Sequence, residues 1–556
     1  MSDYCRGYLL ADLRRFRGWA EPAGERRPDD VCYLWTDLVV RDSALYPEQV
    51  LFVTDSPDWA DFCRGTLGFE PPAFERPPCR VDPSEATGSP ERWVPFTPGQ
   101  RWMLEQVEAA QPNHRNPRLA IAVERRCEPA AAERALAVLL DCHEALRLRL
   151  GRVDGRWVQV VSDDPGVPLT WVSLAGLPAE SATAARAAIT VDAFHLVSRL
   201  TGPLLRFLYL EQDVDQEGDL CDLLAMLFSH VVADGISQFV LNSDLRKLLT
   251  QAADGEPPAL APAVSFGRWT EHVASHVGST EAEAELRDYW LRLPWERVRP
   301  MPLDFPEGRV VDPVSGRSGF GTEASQRDVT VLLEAAETER LLRRATGREN
   351  DMQDFLLTAL LVAFAERTGS PVLYLVDVDS NRQCSFADVD LSRTVGMMAQ
   401  LRRILLDLGG AQAPEEVLAT VRTQLRALPN RGRTLEWMLR RGDGLPVREE
   451  LRGIPMVPAL FTMYRGRVRH WGSQPTYRYL KMRGLEQGGQ IPALDTVSLR
   501  CLRAFPLDFE AEVVYDQLKL KLTYSESVHR RETIESLAAA CLGCLRDLVG
   551  APAAQP

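Results

Sequence analysis

Apolar residues recur with two different periods along this chain, and the pattern predicts a mixed α/β fold. Residues 129–150 begin with proline, contain strong helix formers and carry apolar side chains at helical spacing, so we predict a helix there. An Asp-Gly pair between apolar residues at 153–161 indicates a tight hairpin. Further patterns predict helices at 281–293, 335–346, 351–368 and 534–549, and strands at 328–332 and 372–378. Alternating helices and strands favour α/β (α+β) lobes over a helical bundle.

Two short apolar runs, 204–210 and 220–228, are separated by an acidic, glycine-containing loop, and we predict that they are adjacent buried strands. The second run leads directly into Ser-His-Val-Val-Ala-Asp-Gly at residues 229–235. After Gly235 the apolar spacing becomes helical through residue 249. The seven-residue motif therefore lies at a strand-to-helix junction, where a rigid frame can hold a reactive loop.

Length and breaker-rich segments predict three parts. A chain of 556 residues is too long for one hydrophobic core. Residues 1–90 combine short aromatic-rich runs with acidic turns, which suggests a small α+β module of unknown role that ends in a proline-rich linker. A second breaker-rich region at 255–263 predicts a boundary between a first lobe, 91–264, and a second lobe, 265–556.

Composition narrows the class of protein. The formal charge of -14 disfavours nucleic acid and anionic membranes as partners, and no apolar stretch is long enough to span a membrane. The N-terminus lacks the pattern of a secretory signal and the eleven cysteines are scattered, so we expect a cytoplasmic protein with reduced thiols. Cys541 and Cys544 form a CxxC inside a predicted helix, where buried thiols are a better interpretation than metal or redox chemistry.

The motif at 229–235 resembles the HxxxDG signature of nonribosomal peptide synthetase condensation domains, which is shared with chloramphenicol acetyltransferase and related acyltransferases. HxxxDG alone is a weak signal, and the order of the accompanying segments makes the resemblance specific. Those segments are Phe96-Thr97-Pro98-Gly99-Gln100, His143-Glu144-Ala145-Leu146-Arg147, Gly202-Pro203 with Arg206, Tyr289-Trp290, Asn381-Arg382, Val395-Gly396-Met397-Met398, and the closing stretch from Tyr515 to Leu545. The resemblance covers residues 93–550 and leaves out the first 90.

The resemblance implies two chloramphenicol acetyltransferase-like lobes in a V-shaped pseudo-dimer, preceded by the small module, with a channel between the lobes. It implies a free-standing condensation enzyme, because 556 residues leave no room for an adenylation or carrier domain. Such an enzyme takes an acyl or aminoacyl group from the phosphopantetheine thioester of an acyl or peptidyl carrier protein. It transfers that group to an amine or a hydroxyl, which is small or carrier-bound, and it binds no cofactor of its own.

Residue roles follow from the same resemblance. His230 matches the histidine regarded as catalytic in the family, and a neutral imidazole near pH 7 can accept a proton or hold an amine. Ser229 stands where the family has a supporting histidine, while Gly235 permits a tight turn and close backbone approach. Asp234 is expected to cap the following helix or to bind an arginine, with Arg147 and Arg206 as candidates.

Three further sets of polar residues are interpreted mainly as structural or surface groups. His143 and Glu144 are expected to be architectural. His272 and His276 have a zinc-like spacing, but no acidic third ligand is identifiable and we predict no metal. Seven arginines between residues 440 and 469 form either a solvated surface or a binding site for an acidic carrier protein or for the phosphate of a pantetheine arm.

Two other functions remain open from the sequence. The first is transfer from acyl-CoA, as in related acyltransferases. The second is a catalytically silent recruitment platform, as some condensation-like domains are, although the presence of His230, Asp234 and Gly235 speaks against it.

Overall fold

A computed structural model describes residues 93–550 with internal gaps, together with the backbone of three short strands near the N-terminus. The gaps are 110–117, 124–126, 154–155, 164–168, 174–203, 212–221, 278, 312–317, 346–348, 381, 383–389, 440–453, 455–459 and 469–501. The three short strands, β1 (Leu9–Asp12), β2 (Tyr33–Leu34) and β3 (Gln49–Val53), form an antiparallel sheet in the order β1-β3-β2. The proline-rich linker predicted after them lies outside the described residues.

The first sheet has four strands, in the order β4-β9-β8-β7. They are β4 (Arg118–Val123), β7 (Leu169–Ser173), β8 (Leu205–Glu211) and β9 (Asp222–Phe228). Strands β8 and β9 pair antiparallel, which confirms the two adjacent strands predicted from the apolar runs. Every residue of β9 is buried, as expected for a strand covered on both faces.

Helices pack beside this sheet and a hairpin follows one of them. The elements are α1 (Pro98–Ala109), α2 (Pro129–Cys142), β5 (Leu148–Val153), β6 (Arg156–Val161), α3 (Gly235–Asp254), α4 (Phe266–Val277) and α5 (Thr280–Asp288). Helix α3 contacts both α2 and β4, and Leu136, Leu241 and Leu248 are completely buried there. Burial of these large apolar side chains stabilises the layer.

The helix predicted at 129–150 is too long. The structure ends α2 at Cys142, continues with a short 3-10 turn at Glu144–Arg147 and then begins strand β5. His143 breaks the helix with φ -117° and ψ 84°. Leu148 and Leu150 are buried while their neighbours are half-buried, and this alternation pairs the segment with β6 in the predicted hairpin.

The second sheet has six strands in the order β12-β17-β16-β15-β13-β14. Between the two sheets in the chain lies a small hairpin, β10 (Val310–Val311) with β11 (Ser318–Gly319). The six strands are β12 (Gln326–Leu333), β13 (Val372–Asp379), β14 (Gln400–Asp407), β15 (Leu460–Val468), β16 (Leu507–Val514) and β17 (Gln517–Ser525). Tyr515 and Asp516 have φ of 50° and 62°, and this left-handed pair makes a two-residue connection between β16 and β17.

Helices pack against the second sheet and confirm most of the predicted pattern. They are α6 (Ala335–Arg344), α7 (Glu349–Thr368), α8 (Pro414–Ala427), α9 (Thr434–Leu439) and α10 (Arg531–Val549). Helix α10 contacts α6, α7 and β12 and therefore covers the sheet at its β12 side. Helix α1, which precedes the first sheet, contacts β14 of the second sheet.

Two glycines give a test of this packing. A Cβ on Gly308 would lie 1.7 Å from the backbone oxygen of Ser527, so we expect Gly308→Ala to lower the melting temperature. Gly543 lies inside α10 with no heavy atom within 4 Å of its Cβ position. Gly543→Ala should therefore raise the free energy of unfolding by roughly 0.5–1 kcal/mol. Thermal and urea unfolding of the two variants measure this difference, and equal stability would contradict the packing described here.

Candidate active site around His230

The loop 229–234 joins strand β9 to helix α3 and carries the predicted reactive histidine. Its backbone is held at the first residue, where the Ser229 amide donates to the carbonyl oxygen of Leu204 at 2.7 Å. The Val232 amide in turn donates to the Ser229 carbonyl oxygen at 3.0 Å. Val231, Val232 and Ala233 are completely buried, whereas His230 is only half-buried. Within this anchored loop, His230 is the polar side chain that is partly exposed, while Ser229 and Asp234 are buried.

The imidazole of His230 has one defined tautomer in this geometry. Its Nδ1 lies 2.8 Å from the carbonyl oxygen of Ala233. A carbonyl oxygen can only accept a hydrogen bond, so Nδ1 carries the proton. In the neutral ring Nε2 is then the basic nitrogen. A hydrogen bond within the loop therefore prepares His230 to accept a proton at Nε2.

Asp234 is buried and fully used by hydrogen bonds from three directions. Its Oδ1 caps α3 by accepting from the amide and the hydroxyl of Ser237, both at 2.8 Å. The guanidinium of Arg382 donates to both carboxylate oxygens, at 2.8 and 3.0 Å. The amide of Ala399 donates to Oδ2 at 3.0 Å. Asp234 therefore does both things expected of it, capping the helix and binding an arginine.

The identity of that arginine corrects the sequence prediction. Arg147 donates to the carbonyl oxygens of Leu140 and Ser162 instead, and Arg206 is buried within β8 without a hydrogen bond to Asp234. Both candidates lie in the predicted first lobe, yet the partner lies 148 residues beyond Asp234 in the chain. The signal was present, since Arg382 belongs to one of the segments that carried the resemblance.

The segment 394–399 lies against the loop from the other side. The Asp234 amide donates to the Gly396 carbonyl oxygen at 3.1 Å, and the Gly396 amide donates to Ser237 Oγ at 3.0 Å. A Cβ on Gly396 would come within 2.1 Å of the ring of Phe266, so only glycine fits at this position. The segment 394–399, which contains Val-Gly-Met-Met and is called the 394–399 wall below, thus packs against one side of the histidine loop.

Residues 96–100, the opening segment, pack against the 394–399 wall beside the histidine loop. Thr97 Oγ1 donates to the carbonyl oxygen of Met397 at 2.8 Å. A Cβ on Gly99 would lie 2.3 Å from the carbonyl oxygen of Ala399, so the backbones of the two segments approach closely. Segments that are about 300 residues apart in the chain therefore meet beside the histidine loop.

Ser229 and Gly235 flank the reactive residue in different environments. Ser229 is completely buried, and its Oγ accepts a long hydrogen bond of 3.4 Å from the Val231 amide. Gly235 is exposed, begins α3 and has no heavy atom within 4 Å of its Cβ position. It is not among the glycines with positive φ, so the turn itself does not require glycine at 235. Neither a positive φ nor a close contact among the described residues requires glycine at 235, so the turn and close-approach roles of Gly235 stay predictions.

His143 and Glu144 make structural contacts away from this loop. His143 Nε2 lies 2.8 Å from Asp244 Oδ2, and Glu144 Oε1 accepts from the Gly267 amide at 2.5 Å. Burial of the ring opposes protonation, but the hydrogen bond to Asp244, aided by Cys142, raises the pKa of His143. Arg393 also donates to Asp244 at 3.0 Å. These contacts tie α2 and α3 to the segment that begins the 394–399 wall.

The remaining polar candidates have ordinary surroundings. Burial raises the pKa of the Cys541 and Cys544 thiols, that of Cys544 to about 12, which disfavours the thiolates that metal binding or redox chemistry needs. The His276 ring contacts the Asn430 side-chain amide at 3.2 Å. The arginine-rich stretch 440–469 lies outside the described residues except for Ile454 and the backbone of β15. Among the described helices none is long and apolar enough to cross a membrane.

Comparisons with known proteins find matches to this chain in both sequence and structure. The family model described as "Condensation domain" matches residues 91–555. A linear gramicidin synthase of Brevibacillus parabrevis is 30% identical over 459 residues, which are 82% of this chain and 6% of that protein. The chondramide synthase of Chondromyces crocatus is 32% identical over 357 residues, which are 62% of this chain and 8% of that protein. The chain thus spans a small fraction of the length of these relatives.

Solved structures share the fold at lower identity. The epimerization domain from the third module of tyrocidine synthetase B has a TM-score of 0.62 at 20% identity, with 82% of this chain and 96% of that chain covered. The X-domain in its complex with OxyB from teicoplanin biosynthesis has a TM-score of 0.54 at 19% identity, with 84% and 96% covered. One fold therefore carries different activities in these neighbours, and the residues at the site must decide the function.

Removal of the Asp234 carboxylate tests the description of the site. Asp234→Ala leaves the buried Arg382 guanidinium without its partner and removes a helix cap, so we expect the free energy of unfolding to fall by about 3–5 kcal/mol. Urea unfolding measures the loss. The matched control is Asp288→Ala, which breaks an ion pair to Arg292 whose two side chains are 68% and 72% exposed, and its stability should be close to that of the parent. An Asp234→Ala variant as stable as this control would contradict the geometry.

Proposed function

Since the chain belongs to the condensation-domain family, we propose that it is an acyltransferase that forms an amide from a carrier-bound thioester and an amine. The observation that carries the proposal is the half-buried His230, whose Nδ1 is committed to the Ala233 carbonyl oxygen and whose basic nitrogen is therefore Nε2. A basic nitrogen placed beside the reacting amine can accept the proton that the amine loses as the amide forms. The Asp234–Arg382 pair supports it by fixing the loop.

The proposed reaction balances with His230 as the proton carrier. The amine nitrogen attacks the thioester carbonyl carbon, a C–N bond forms, and the carbonyl oxygen carries the negative charge of the tetrahedral intermediate. His230 Nε2 accepts the proton that the nitrogen loses. The C–S bond then breaks, and the proton passes to the thiolate sulfur, which leaves as the free thiol of the phosphopantetheine arm. The products are an amide and a carrier with a free thiol.

The proposed reaction also indicates how the substrates are delivered to His230. The phosphopantetheine arm belongs to the carrier protein, so the proposal needs no cofactor held by this chain. Gly235 is exposed at the start of α3 and leaves open space for the backbone to approach a substrate.

The proposal also includes the division into two lobes between residues 264 and 265 and a channel between the lobes that reaches His230. It further includes the ability to work free-standing, with the carrier supplied as a separate protein.

Loss of the imidazole tests the function. We expect the parent to join an aminoacyl group on a separately supplied carrier protein to an amine on a second carrier. The assay uses a panel of proteinogenic aminoacyl groups, and mass spectrometry detects the product. His230→Ala should lower the rate of product formation by about 10²–10⁴-fold, the usual contribution of a general acid–base group. His272→Ala removes an exposed histidine of α4 and serves as the matched control, with the parent's rate expected.

The same assay separates the competing functions. Product from acyl-CoA but not from the loaded carrier would replace the proposal with an acyl-CoA-dependent acyltransferase. A hydroxyl acceptor used in preference to the amine would make the product an ester. Equal product formation by the parent and His230→Ala would contradict the catalytic role and leave a recruitment platform as the better description.

A further inference from the structure

Gln100 is a buried side chain of α1 that contacts the histidine loop directly. Its Nε2 donates to the carbonyl oxygen of Val231, the residue that follows His230, at 2.9 Å. Gln100 is completely buried, as is Val231. The Val231 carbonyl oxygen is therefore satisfied by a side chain from another part of the chain, because water does not reach it.

The orientation of the Gln100 amide is determined by its neighbours. The Thr97 amide must donate, so the acceptor Oε1 of Gln100 faces it at 3.0 Å. The Val231 carbonyl oxygen must accept, so Nε2 faces the loop. Gln159 completes the set with a reciprocal amide pair, in which each side chain donates to the other at 3.0 and 3.1 Å. All four hydrogen-bonding positions of the Gln100 amide are used.

The contact at Val231 bears on the ring of His230 through the loop. The loop is held at its end by the amide of Asp234, which donates to Gly396, and near its start by the carbonyl of Val231, which accepts from Gln100. Between these two points lies Ala233, whose carbonyl oxygen accepts from His230 Nδ1. If the contact at Val231 were released, its buried carbonyl would have to turn toward another donor, and the Ala233 carbonyl would shift with the rest of the loop.

We propose that Gln100 is a positioning residue that holds the loop through the Val231 carbonyl and thereby keeps the proton of His230 on Nδ1 and the basic nitrogen at Nε2. The effect on the rate of transfer rests on the proposed function. The effect on the ring does not, and it can be measured without a substrate.

Two variants remove the donor of Gln100, and one matched control removes its neighbour. Gln100→Met keeps the length of the side chain without the amide, and Gln100→Glu keeps its shape but turns an acceptor toward the Val231 oxygen. Gln159→Met removes an equally buried partner of the same network and leaves the Gln100 contact to the loop intact. Thermal unfolding of all three variants records the structural cost of each change.

The first readout is the ring itself. Nitrogen NMR of histidine labelled in the ring, with His230→Ala to assign the signal, reports which nitrogen carries the proton. We expect the Nδ1-protonated form in the parent and in Gln159→Met, and a change to mixed or Nε2-protonated forms in both Gln100 variants.

The second readout is transfer between loaded carriers. Gln100→Met should lower kcat about 100-fold with little change in KM, the cost of a reacting group displaced by about 1 Å. Gln159→Met should stay within a few-fold of the parent. In the His230→Ala background Gln100→Met should cause no further loss, because residues that act through one another are not additive.

The outcomes are distinct. Retention of the parent's ring signal in both Gln100 variants would overturn the inference, as would equal losses of kcat in Gln100→Met and Gln159→Met that follow their melting temperatures. A parent that transfers nothing would count against the proposed function, while the ring signals would still decide the role of Gln100.

Discussion

The ion pair between Asp234 and Arg382 is the interaction on which the site depends. Both side chains are nearly excluded from solvent, at 1% and 7% exposure, and the carboxylate also accepts from Ser237 and from the Ala399 amide. Loss of one partner from such a pair costs about 3–5 kcal/mol, because the remaining charge stays buried and uncompensated. The pair therefore joins the histidine loop and the adjoining start of α3 to the segment that carries Arg382 and to the segment 394–399.

The proposed chemistry at His230 depends on this arrangement. The ring is positioned by contacts on its own loop, and the loop is positioned by side chains and backbone that come from the opening segment and from residues beyond 380. Ser229 gives the loop a small buried hydroxyl beside His230, and its Oγ accepts a hydrogen bond from the Val231 amide. In the proposed reaction one histidine acts as the base, and the contacts of the loop fix its geometry before the substrates bind, so that no rearrangement is needed during the reaction.

Sequence patterns predicted the elements better than the contacts between them. The strands that flank the acidic loop, helix α3 after Gly235 and the terminal helix agree with the structure because each depends on local periodicity. The helix predicted at 129–150 ends at Cys142, and from Leu148 onward cross-strand pairing with β6 outweighs the good helix formers. Arg147 and Arg206 were wrong as partners of Asp234 because pairing over 148 residues leaves no periodic trace in one sequence. Gln100 belongs to the opening motif, but its contact to Val231 could only be found in three dimensions.

Hydrogen–deuterium exchange of an Arg382→Met variant shows whether the buried pair holds the two segments together. We expect amides in 229–240 and in 394–400 to lose protection together, since one guanidinium binds both segments, while the β16–β17 hairpin keeps the exchange rates of the parent. Faster exchange in only one of the two segments, or in neither, would contradict the claim that the buried pair unites the site.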